Sequence, residues 1–72
     1  MIYYNAIVYW SYRSVTRYNN ITSPRDFVGY MISTNQHFSI TKIFWYRKNL
    51  RKDKKGNYCG IWFPDKGFTF SI

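Results

Sequence analysis

Hydrophobic positions along this chain recur mostly at a spacing of two, the period of a strand with one buried face. The longest case covers residues 37–47. Phe38, Ile40, Phe44 and Tyr46 fall on one side with Lys42 interrupting them, and Ser39, Thr41, Ile43 and Trp45 fall on the other. Residues 2–12 are denser: Ile7, Val8, Tyr9 and Trp10 leave no polar side, which predicts a central strand or one covered by a partner. Residues 57–63 form a returning strand, and residues 68–72 alternate Phe68, Phe70 and Ile72 against Thr69 and Ser71. Residues 13–20 mix Val15 and Tyr18 with polar side chains and fit a short strand or a loop equally well. Asn19-Asn20 marks a break there.

One segment changes period. In Ser23-Pro24-Arg25-Asp26, Ser suits the helix N-cap, Pro the first helical position, and Asp three residues after Ser completes a capping box. Phe27, Tyr30 and Met31 follow at i, i+3 and i+4, so the spacing predicts a short helix over 24–33. Gly29 weakens it by about 1 kcal/mol relative to Ala, and Asn35 is a suitable terminator. Residues 47–56 are polar and end in Gly56, as a long hairpin loop would, and Pro64-Asp65-Lys66-Gly67 has the chemistry of a tight turn. The expected fold is α+β and mainly β. It is a single domain over residues 1–72, with a small antiparallel sheet of about four strands, the last three in a meander, and one short helix packed on a face. Composition agrees: Ala6, Leu50 and Gln36 are single occurrences, Glu is absent, and aromatic and β-branched residues dominate.

At 72 residues the core is small, and a core of this size rarely supplies more than ~3–5 kcal/mol. Cys59 is the only cysteine, so no disulfide forms within the chain, and with His37 as the one histidine a zinc site is not expected. No cofactor is expected either. Aromatic burial and self-association are the remaining means of support. Eight Tyr, six Phe and three Trp, each worth roughly 150–250 Å² when buried, supply the first and exceed what so small an interior hides. An exposed aromatic surface is therefore expected, and it binds a ligand or another copy of the chain.

The charge narrows the ligand. Eleven Lys and Arg face three Asp and no Glu, a net charge of +8. Such an excess attracts polyanions through long-range fields and counterion release, and it also keeps an aromatic surface dispersed. Six of the eleven fall within nine residues: Arg47, Lys48, Arg51, Lys52, Lys54 and Lys55. Aromatic residues flank this run, and Trp45, Tyr46, Tyr58 and Trp62 are the candidates to stack on bases while the basic run holds phosphates. The competing arrangement puts Phe44, Tyr46, Ile61 and Phe63 in the core and leaves only Trp45 or Trp62 partly exposed. Arg13, Arg17, Tyr18 and Arg25, with Tyr12, interleave Arg with Tyr in a second candidate surface that also fits charge protection of an edge strand.

Catalytic machinery is not evident. Asp26 is explained as a cap, Asp53 lies within the basic run and Asp65 within a turn. His37 has no orienting partner in the sequence, and the apolar neighbours of Cys59 favour an inert thiol. The expectation is a non-enzymatic nucleic-acid-binding module for single-stranded DNA or RNA. The alternative is an inhibitor that binds a host defence or regulatory protein or sequesters a nucleotide signal. Phe, Tyr, Met, Ile, Asn and Lys, the residues of AT-rich codons, make up half the chain, which suits a phage or other mobile element. The apolar run near the N-terminus is shorter than the ~20 residues needed to span a bilayer, no membrane partner is expected, and the cytoplasm is the expected location.

Overall fold

Alternating patterning, a capped helix and tight turns together produce a five-stranded antiparallel sheet with one helix on one of its faces. The computed structural model describes residues 2–48 and 57–69. The strands are β1 (Tyr4–Trp10), β2 (Val15–Ile21), β3 (Ile40–Arg47), β4 (Asn57–Phe63) and β5 (Gly67–Phe68), in the order β2-β1-β3-β4-β5. Helix α1 (Pro24–Ser33) and a single 3₁₀ turn over Gln36–Ser39 connect β2 to β3.

Residues 13–20, which fitted strand or loop equally, are mostly strand. β2 closes a hairpin with β1 through a turn in which Arg13 takes φ 65°. The meander of the last three strands is β3-β4-β5, and the part of the expected final strand beyond Thr69 lies outside the described residues. At the start of α1 the Ser23 hydroxyl accepts the Asp26 N–H at 3.3 Å, and Pro24 is buried at the first turn. Asn35 then takes φ 61°, ending the helical segment as its side chain allows.

The expected strand over 37–47 begins later, at Ile40, because the 3₁₀ turn occupies the four residues before it. Its faces also differ from simple alternation. Tyr9 pairs with Lys42 but Trp10 pairs with Ile40, so an irregularity at Thr41 turns Ile40 to the same side as Ile43 and Trp45. The core is therefore Ala6, Val8, Trp10, Ile40, Ile43, Trp45 and Trp62 from the sheet with Val28 and Met31 from α1. This reverses the competing arrangement with Phe44, Tyr46, Ile61 and Phe63 inside, and it also buries Trp45 and Trp62, two of the candidate stacking residues. The reason lies in residue volume: Trp45 stands between Ala6 on β1 and Gly60 on β4, and the two smallest neighbours available make room for the largest side chain. Phe27 of α1 meets the Trp45 ring edge-on, with centroids 5.5 Å apart.

Candidate ligand-binding face

With Trp45 and its row committed to the helix side, strand geometry sends the intervening residues to the other face. β1 contributes Ile7 and Tyr9, β3 contributes Lys42, Phe44 and Tyr46, β4 contributes Ile61 and Phe63, and β2 contributes Val15 and Arg17. Ile7, Tyr9, Lys42, Phe44, Tyr46, Ile61 and Phe63 are half-buried; Val15 and Arg17 are exposed. None of them joins the core cluster on the α1 side. Cross-strand rows organise the face. One row runs Arg17, Ile7, Phe44, Ile61; the next runs Val15, Tyr9, Lys42.

The centre of this face is a three-residue cluster. Tyr9 and Phe44 sit diagonally on neighbouring strands, ring centroids 5.3 Å apart and planes at 72°. The Lys42 ammonium lies 5.3 Å from the Tyr9 centroid and 5.2 Å from the Phe44 centroid, close enough for each ring to attract it. Toward β5, the Lys66 ammonium lies 5.8 Å from the Phe63 ring. Two rings are thus each in reach of one cation, and a third cation-ring pair stands nearby. This arrangement offers flat π surfaces to a planar ligand and ammonium groups to an anion.

The residues singled out from the sequence distribute unevenly. Trp45 is fully buried and Trp62 is 4 % exposed. Both lie on the helix side, so neither ring is placed to stack on a base. Tyr46 is half-buried on the open face, and Tyr58 pairs with it in the β3–β4 ladder. Arg47 ends β3 and is exposed, and the Lys48 Nζ donates to the Asn20 side-chain oxygen at 2.8 Å. Arg51, Lys52, Lys54 and Lys55 lie outside the described residues. The second cluster divides. Arg17 is on the open face, whereas Tyr18 turns to the helix side and meets Phe27 edge-on at 5.1 Å. Arg13 is exposed in the β1–β2 turn and Arg25 on α1, and Tyr12 stacks on Trp10 at 5.7 Å.

Tyr9, Lys42, Phe44, Phe63 and Lys66 were not among the binding residues read from the sequence, although Phe44 and Phe63 flank the basic run. A signal for them existed in Lys42: a lone cation within an alternating apolar row marks that row as the solvent side, so Phe44 and Tyr46 belong outside with it.

Two groups with reactive side chains lie elsewhere. Burial pushes the Cys59 thiol above its ordinary value, opposed by a backbone hydrogen bond and the positive charge of Arg47. The His37 ring packs on Phe38 with centroids 4.1 Å apart, and its Nδ1 is buried without a hydrogen-bond partner among the described residues. Among the described residues no three His, Cys, Asp or Glu come together, and no helix is long and apolar enough to cross a membrane. Comparison with protein-family profiles, curated proteins and solved structures finds no match to this chain.

Proposed function

We propose that this chain is a non-enzymatic module that binds single-stranded nucleic acid, DNA or RNA, on the open face of its sheet. The observation that carries the reading is the Tyr9–Phe44 pair with the Lys42 ammonium over both rings. Base stacking on aromatic side chains is worth roughly 1–3 kcal/mol per base and tolerates any sequence, while nearby Lys and Arg neutralise phosphates. Lys42 serves both ends of this recognition, because it shields the rings in the free protein and moves to a phosphate when a base takes its place. Arg17 and Lys66 extend the cationic rim, and in the sequence the basic run from Arg47 to Lys55 continues from the end of β3. Single strands suit the face better than duplexes, whose bases are already stacked and paired.

The test is fluorescence anisotropy of labelled single-stranded DNA, duplex DNA and RNA, from low to above physiological salt. Tyr9→Ala and Phe44→Ala should each weaken single-strand binding roughly 5- to 150-fold, the equivalent of one lost stacking contact. Both positions lie outside the core cluster, so circular dichroism should be little changed. Unaltered affinity in both variants would remove the open face from the reading.

A second reading is favoured by the opposite side of the molecule. Phe38 is 78 % exposed and Tyr30 61 % exposed, and aromatic side chains of this kind anchor protein interfaces. In that case the chain is a phage or mobile-element inhibitor of a host protein. Capture of one host protein that survives nuclease treatment and is lost in Phe38→Ala would establish it in place of the first.

A further inference from the structure

We infer that β2 is the seam of a homodimer in which two copies pair edge to edge. Among the described residues the sheet order leaves β2 at one edge with seven residues and β5, Gly67–Phe68, at the other. A long unpaired edge is a template for another strand, and proteins that stay monomeric blunt it with proline, lysine or inward charges. β2, Val-Thr-Arg-Tyr-Asn-Asn-Ile, carries no proline or lysine; its one charge is Arg17, and its register irregularity is confined to the end opposite Tyr4–Ala6.

The hydrogen-bonding groups that face outward can be read from the ladder. The Trp10 N–H donates to the Ser14 carbonyl at 2.9 Å. Bonded pairs alternate along an antiparallel ladder, so Thr16 and Tyr18, opposite Val8 and Ala6, bond inward to β1. Val15, Arg17 and Asn19 then present their backbone N–H and C=O groups to the free edge. The irregularity in the β1–β2 register between Tyr4 and Ala6, with Asn20 at φ 60°, limits the regular edge to Val15–Asn19.

Two features select a second copy as the occupant. First, pairing β2 with β2 is isologous and closes as a dimer, whereas pairing β2 with the far edge would be head-to-tail and would propagate. Second, a two-fold axis through Thr16 or Tyr18 sets Arg17 opposite Val15 or Asn19 of the other copy. Only an axis through Arg17 itself would oppose the two charges. The dimer joins the two sheets along one seam, so both Tyr9–Phe44 clusters lie on one extended surface.

This dimer does not depend on the proposed ligand, and salt separates the two. Each copy carries +8, so raising salt screens repulsion and should tighten the dimer, while it weakens nucleic-acid binding. The experiment is sedimentation velocity of the nucleic-acid-free chain from 5 to about 300 µM, at about 0.15 and 0.5 M salt. The expected result is a dimer mass that strengthens with salt. Arg17→Gln, which removes charge and keeps the edge N–H, should dimerise at least as tightly. Arg17→Pro removes only an outward N–H from the ladder, and Val15→Lys places a cation on the exposed edge. Both should be monomeric. A wild-type monomer at the highest concentration in both salts would overturn the inference, as would a Val15→Lys or folded Arg17→Pro chain that remains a dimer.

Discussion

Trp45 concentrates the energetics of this molecule in one side chain. Its ring is fully buried, touches Phe27 of α1 and Phe68 of β5 within 6.3 Å between centroids, and joins the helix to three strands. Its Nε1 is also buried with no hydrogen-bond partner among the described residues, in contrast to Trp10, whose Nε1 donates to the Thr16 hydroxyl at 2.9 Å. A buried donor left unpaired costs about 1–3 kcal/mol. Two substitutions should therefore differ sharply. Trp45→Ala removes the packing and should cost about 3–5 kcal/mol, enough to unfold a domain of this size. Trp45→Phe keeps an aromatic ring and removes the unpaired donor, and in urea unfolding it should cost less than about 1.5 kcal/mol. Equal damage from the two would mean that the indole N–H does useful bonding in solution.

At the scale of elements, α1 covers one face of the sheet through Val28 and Met31, so its own stability bears on the core. Its N-terminus is well built, with the Ser23 cap and Pro24, but Gly29 sits mid-helix on the exposed side. A methyl group added there meets nothing within 4 Å. Gly29→Ala should stabilise the chain by about 0.5–1 kcal/mol, seen as a higher urea midpoint with unchanged slope. No gain would show that the helix is not limited by its backbone. The same element shows what was legible in the sequence. The capping residues and the i, i+3, i+4 spacing placed α1 at its observed ends, because helix signals are local. The strand positions were legible in part: β1 and β4 lie within the expected stretches, β2 was left open between strand and loop, and β3 starts three residues later than expected. Which face of β3 would be inside was not, since both faces carry large apolar residues. That choice was made by partners distant in sequence, Ala6 and Gly60, which flank Trp45 only once the register is known. The candidate site inherited this inversion. Trp45 and Trp62 took the core, and the open face of the sheet went to the half-buried Tyr9, Phe44 and Phe63.

For the whole molecule, the distribution of charge and rings separates two contributions that a single affinity would merge. In the proposed binding, the +8 charge would act at long range and be screened by salt, while the open face would act by contact and not be screened. The two therefore leave different marks on the dependence of binding on salt. Each phosphate neutralised by a cation adds roughly 0.7 to the slope of log affinity against log salt for a single strand. Replacing Lys52, Lys54 and Lys55 together with Ala should reduce that slope by up to about 2 and weaken binding most at low salt. Tyr9→Ala with Phe44→Ala should lower affinity by a similar factor at every salt concentration and leave the slope nearly unchanged, because no phosphate contact is removed. Lys42→Ala distinguishes the roles within the cluster. If its ammonium moves to a phosphate on binding, the slope falls by about 0.7; if it only shields the rings, the slope stays and affinity rises as the platform is uncovered. A triple variant with the wild-type slope would take the basic run out of the binding site. The two-ring variant with wild-type affinity at high salt would leave charge as the sole source of binding.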